Sequence, residues 1–195
     1  MHSNKTRRLS LFLTALTVGG SVLAQTENSI TSHCNPDEKI QFSCRIGAKF
    51  VSLCSGGSQG KITLLTYRYG ARGKVESEFI SRPENKNRFY GTEMQASPRA
   101  RVKQVWFNRG KLRYLLTECV GGSCEQGGGL AVLRGYRVVM NGRCDVATAD
   151  DYGSFASELV SFESKLDYPF GRSKTDLLII VNGDDHFEKL FPSRP

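Results

Sequence analysis

The chain has 195 residues, enough for one domain of ordinary size. Its formal net charge is +8, and 24% of its residues are charged against 39% hydrophobic. Beyond residue 24 no segment is long and apolar enough to cross a bilayer, so no transmembrane segment is expected once that stretch is removed.

Residues 1–24 have the layout of a secretory signal peptide. Lys5, Arg7 and Arg8 form a basic start, Leu9 to Leu23 is mostly apolar, and Val22-Leu23-Ala24 precedes a cut at Gln25. Residues 25–195 then form a single disulfide-bonded, β-rich domain, located in the periplasm or outside the cell. The leader holds three of the 27 basic residues and none of the 19 acids, which leaves 24 against 19 in the mature chain. A bias this mild carries little weight for nucleic acid, and no nucleic-acid partner is expected.

Gln25 to Ser32 is a polar lead-in, and His33 is expected to be exposed at its end. Lys39 to Cys44 alternates, with Ile40, Phe42 and Cys44 on the face assigned to the core and Lys39, Gln41 and Ser43 on the other. Phe50 to Cys54 returns as the second arm of a hairpin. Lys61 to Tyr69 and Val75 to Ile80 are the third and fourth strands. Further strands are expected at Phe89 to Gln95, Val102 to Asn108, Leu112 to Cys119, Leu130 to Leu133 and Tyr136 to Met140. Asn141-Gly142 reads as a turn. Ser154 is a helix cap, followed at helical spacing by Phe155, Leu159, Phe162 and Leu166. Leu177 to Val181 is one more apolar run, read as a buried strand. The predicted fold is therefore mainly β, an antiparallel β-sandwich or barrel with one C-terminal helix packed on it.

All six cysteines lie in the mature chain, and an even count behind an export signal implies disulfides. A local Cys119–Cys124 bond closes the glycine-rich hairpin tip, since a loop this short brings two Cβ atoms into range. For the rest, Cys34–Cys54 and Cys44–Cys144 are preferred among the pairings that six cysteines allow. No C-x2-C pair exists and the only histidines after the leader are His33 and His186, so neither a metal nor another cofactor is expected.

Motifs of chemistry are sparse. Gly56-Gly57-Ser58-Gln59-Gly60 has the letters of a nucleophile elbow, but it lies in a β-hairpin context with no helix following, so it reads as a flexible loop. Asp150-Asp151 and Asp184-Asp185 are the densest acidic sites, and they would supply a carboxylate-dependent hydrolase of envelope polymers if they converged. Glu76 and Glu78 share a strand face, where opposing cations on neighbouring strands also account for them. From Lys86 to Tyr114 cations are interleaved with Phe89, Tyr90, Trp106, Phe107 and Tyr114, a pattern expected to turn aromatics to the core and cations to water. No catalytic residues are assigned.

The series Cys34, Glu38, Phe42-Ser43-Cys44, Gly47, Lys49, Val51-Ser52-Leu53-Cys54, Tyr67-Arg68-Tyr69-Gly70 and Glu78 resembles a group of exported bacterial proteins with no assigned activity. It covers about the first third of the mature chain, and Cys144 fits a further cysteine of that pattern. The Cys119–Cys124 tip and the tail after Cys144 stand as additions to it. The general build is also similar to small periplasmic lysozyme inhibitors, by analogy only. The resemblance implies an exported, disulfide-bonded β-protein. The expected role is a non-enzymatic binding protein whose partner is an envelope or secreted protein, such as a cell-wall-active enzyme that it inhibits or gives immunity against. The expected contact is the tip carrying Glu118, Val120, Gly121, Gly122, Ser123 and Glu125. The alternatives are the carboxylate hydrolase and a structural envelope protein with no dedicated ligand.

Overall fold

The computed structural model describes residues 32–57, 62–121, 127–145 and Phe155. Nine strands run in chain order: β1 (Lys39–Ile46), β2 (Lys49–Gly56), β3 (Leu64–Ala71), β4 (Lys74–Ser81), β5 (Phe89–Ser97), β6 (Ala100–Arg109), β7 (Leu112–Val120), β8 (Gly127–Arg134) and β9 (Arg137–Arg143). They form two antiparallel sheets, β1-β2-β3-β4 and β5-β6-β7-β8-β9, each a plain meander in which every strand pairs with its chain neighbour. Among the described residues no ladder joins one sheet to the other. The expected C-terminal helix and the run Leu177 to Val181 lie outside the described residues.

The inner faces of the two sheets share one core. Phe42, Val51, Leu53, Leu65 and Tyr67 of the first sheet meet Phe89, Val105, Phe107, Leu116 and Leu130 of the second. Phe107 is the hub. Its ring stacks on Phe79 at 4.1 Å and on Tyr114 at 4.9 Å, and also meets Tyr67 and Phe89. Burying rings of this size is the main favourable term in the fold, and offset or edge contacts between them add to it. Tyr67 is wholly buried there, and desolvation pushes its phenol far above the ordinary range.

The sheets are stapled at one side. Cys44 of β1 bonds Cys144 just after β9, across 100 residues of sequence. Beside it Arg45 pairs with Asp145 at 3.2 Å, and the Asp145 carboxylate also accepts the Gly47 amide at 3.0 Å. The second staple, Cys34–Cys54, ties the N-terminal segment to β2. These are the two long pairs preferred from the sequence. Cys119 is disulfide-bonded as well, and Cys124, its expected partner, lies outside the described residues. Such bonds persist in oxidising surroundings. No helix among the described residues is long and apolar enough to cross a membrane.

Three expectations need correction. Ile40 does not point to the core; it is 47% exposed, whereas Gln41 is buried. The register explains this, because Ile40 faces Cys54 and Phe42 faces Leu53, leaving Gln41 as an extra residue in a β-bulge. The bulge reverses the alternation before Phe42. Gln41 then donates from Nε2 to Ser55 Oγ at 2.7 Å. Second, Asn141-Gly142 is no turn. Both residues sit inside β9, opposite Ala131 and Leu130. Glycine is needed at 142 because the Ile46 side chain of β1 occupies the place a Cβ would take. Third, His33 is buried rather than exposed, for reasons that belong to the site below.

Candidate functional site

The apolar residues of the sequence pattern face the core, whereas Cys34, Glu38, Ser52, Cys54, Arg68, Gly70 and Glu78 converge on the outer face of the first sheet. Alternation gives β2 and β3 a second, polar face: Ser52 and Cys54 on one strand, Thr66, Arg68 and Gly70 on the other. Segment 32–38 lies over that face. The Asn35-Pro36-Asp37-Glu38 turn closes it, with Pro36 in the position where its fixed φ is an advantage and the Glu38 amide bonded to Asn35 O at 3.0 Å. The Cys34–Cys54 bond fixes the other end. His33 is held by its amide on Ser52 Oγ (2.9 Å) and its Nε2 against Gly70 O (3.1 Å), with its ring edge-on to Phe50.

Arg68 is the centre of this arrangement. Its guanidinium takes Glu38 in a two-pronged pair, Nη1 to Oε2 and Nη2 to Oε1 at 3.0 Å. Nε donates to Glu78 Oε1 at 2.8 Å, and Nη1 also reaches His33 O at 3.2 Å. The Arg68 and Glu38 side chains are only 9% and 5% exposed. Burial alone would raise the Glu38 carboxyl. Hydrogen bonds from Arg68 and from the Asn35 amide, with the charge of Arg68, outweigh it and hold the group below its ordinary value. Nearby, Lys49 donates to Glu76 at 2.6 Å and lies over the Tyr69 ring. The cation expected opposite Glu78 is thus Arg68 on the neighbouring strand, whereas Glu76 is met by Lys49 of β2, two strands away.

This cluster is a clamp by its chemistry. Three of the Arg68 nitrogens are already engaged by acceptors of the same chain, so the guanidinium is committed before any anion arrives. Cys34, Glu38 and Cys54 bring potential metal-binding atoms within 4.8 Å of one another. Both sulfurs are spent in the disulfide, which leaves no thiolate for a metal.

Comparison with family models, curated proteins and solved structures finds no significant match.

The expected contact tip is only partly in view. Glu118 faces inward, buried, where its carboxylate accepts the Phe155 amide at 2.9 Å and lies 3.6 Å from Lys103 Nζ. Its charge therefore anchors the chain after β9 and is not offered to a partner. Val120 is exposed, and Gly121 is packed against the Arg99 carbonyl with φ of +81°. Gly122, Ser123 and Glu125 lie outside the described residues, as do Asp150, Asp151, Asp184 and Asp185.

The cation-rich stretch follows the expected split only in part, because Lys103 is half-buried beside Glu118 and both faces of β6 carry buried apolar groups. Phe89 and Phe107 lie in the shared core, while Arg101, Arg109 and Lys111 face water. Trp106 is buried on the opposite face of the second sheet, among Val102, Leu115, Ala131 and Leu133, with Tyr90 stacked at 5.9 Å. Sequence reasoning missed the far end of this sheet. There Tyr136 is 85% exposed between Arg134 and Arg137, in a turn recognisable from Gly135 but without any sign of what stands beside it.

Proposed function

We propose that the protein is an exported binding protein of the periplasm or extracellular space, a disulfide-locked two-sheet sandwich that acts on an envelope or secreted protein by contact. A cell-wall-active enzyme that it inhibits, or against which it gives immunity, is the partner this reading favours. One observation carries it. Buried charged groups that might have served chemistry (Arg68, Glu38 and Glu118) are spent on holding the chain to itself. Among the described residues the large apolar side chains left in water are Ile40 and Val75 on the first sheet and Val120, Tyr136, Val139 and Met140 on the second. Exposed aromatic and apolar groups on a rigid frame suit protein contact.

The test is chemical cross-linking of the mature chain to a panel of purified muralytic enzymes, with each enzyme's rate measured alongside. Saturable inhibition with a matching cross-link supports the reading. No cross-link and no change in rate across the panel or an envelope extract counts against it.

A further inference from the structure

The strongest surface feature is a row of cations at one end of the second sheet. The register sets Arg109 of β6 opposite Leu112 of β7, Leu112 opposite Arg134 of β8, and Arg134 opposite Arg137 of β9. Arg109, Arg134 and Arg137 therefore lie in one line across the sheet end. With strands about 4.8 Å apart, the line is roughly 14 Å long. Lys111 and Tyr136 stand just beyond it, in two-residue turns whose first residues, Gly110 and Gly135, both have φ of +60°. Such turns are short and stiff.

All five side chains are exposed. None of the four cations makes an ion pair among the described residues. Every ion pair there lies elsewhere: Arg45, Lys49, Arg68, Arg101 and Lys103 take Asp145, Glu76, Glu38 with Glu78, Glu93 and Glu118. Arg109 has only the Ser77 hydroxyl at 3.5 Å. Like charges set directly opposite on paired strands, as Arg134 and Arg137 are, work against the fold. An anion lying across the row would relieve that repulsion.

We propose that this sheet end, Arg109, Lys111, Arg134, Tyr136 and Arg137, is the docking surface for an acidic patch on a partner protein. The inference rests on the binding reading above and adds where the partner sits and what charge it bears. A protein partner is favoured over a polyanionic strand by the residue types. Arginine with a single projecting tyrosine is the composition of protein hot spots, whereas a nucleic-acid strand calls for a succession of stacking aromatics. The row also predicts association that is fast at low salt and slows as salt screens it.

The experiment uses the mature chain labelled with 15N, its amide shifts followed during titration with poly-L-glutamate, with phosphatidylglycerol vesicles and with single-stranded DNA. The expected result is salt-sensitive binding of poly-L-glutamate that shifts amides 109–112 and 133–138. Arg134→Glu with Arg137→Glu should weaken it at least tenfold, and Tyr136→Ala several-fold. The same reversal at the exposed Arg72 and Lys74, on another turn, should leave it unchanged. Shifts spread over the surface, equal loss with the Arg72/Lys74 pair, or preference for vesicles or DNA would overturn the assignment. A muralytic enzyme that still cross-links to the Arg134→Glu/Arg137→Glu chain would sink this surface while sparing the binding role. Failure of the unaltered chain to cross-link would sink the role itself.

Discussion

Removing both members of the Arg68–Glu38 pair should destabilise the protein by clearly less than the two single removals added together. Glu38→Gln leaves a buried guanidinium with Glu78 and a carbonyl; Arg68→Met leaves a buried carboxylate with only the Asn35 amide. Breaking a buried ion pair by deleting one partner costs about 3–5 kcal/mol. For Glu38→Gln the figure falls to about 2–3 kcal/mol, because Glu78 still neutralises Arg68 from a position 41% exposed to water. For Arg68→Met it stays near 3–4 kcal/mol, since nothing replaces the cation. The double variant should lie at least about 2 kcal/mol below the sum of the two. Urea unfolding with the disulfides intact, followed by the emission of Trp106, gives all three values. Exact additivity, or single variants that unfold with the wild type, would refute the clamp. The pH dependence has a definite sign. Glu38 titrates below its ordinary value of 4.5 when folded. Its contribution is therefore complete above the unfolded-state value and is lost as pH falls through the folded one. The gap between wild type and Glu38→Gln should be full above about pH 5 and close below it.

Three more outcomes follow from the packing. Gly142→Ala should destabilise by about 1–3 kcal/mol, as its Cβ meets Ile46, and Ile46→Leu should restore part of the loss in thermal melts. Gln104→Leu should be neutral or stabilising by about 1 kcal/mol in urea titrations, because both amide atoms are buried with no hydrogen-bond partner among the described residues. Cys44→Ser with Cys144→Ser should cost about 4–5 kcal/mol for a loop of 100 residues, read as a lowered urea midpoint.

All nine strands were legible because period-two alternation and glycine turns are local signals. The first hairpin was legible too, but the division into a four-stranded and a five-stranded meander was not, because nothing local marks where one sheet ends and the next begins. The errors came where two distant segments meet. Asn141-Gly142 has the letters of a turn, but its glycine answers to Ile46, nearly a hundred residues earlier. Gln41 is buried by a bulge that no periodicity reveals. His33 looked like tail because its partners, Ser52, Phe50 and Gly70, are on strands the sequence does not place above it. The cationic sheet end was hidden for the same reason: Arg109 and Arg134 became neighbours only through the registers of β7.

The order of the strands has a consequence for how the molecule is made. Each sheet is one contiguous stretch of the chain, so a polypeptide emerging amino end first can zip up β1 to β4, and close Cys34 on Cys54, with more than half its length still to come. Cys44 must meanwhile wait as an open thiol for Cys144. Premature capture of that sulfur by Cys34 or Cys54 is the natural misstep, and a catalyst that reshuffles disulfides is the helper this topology calls for.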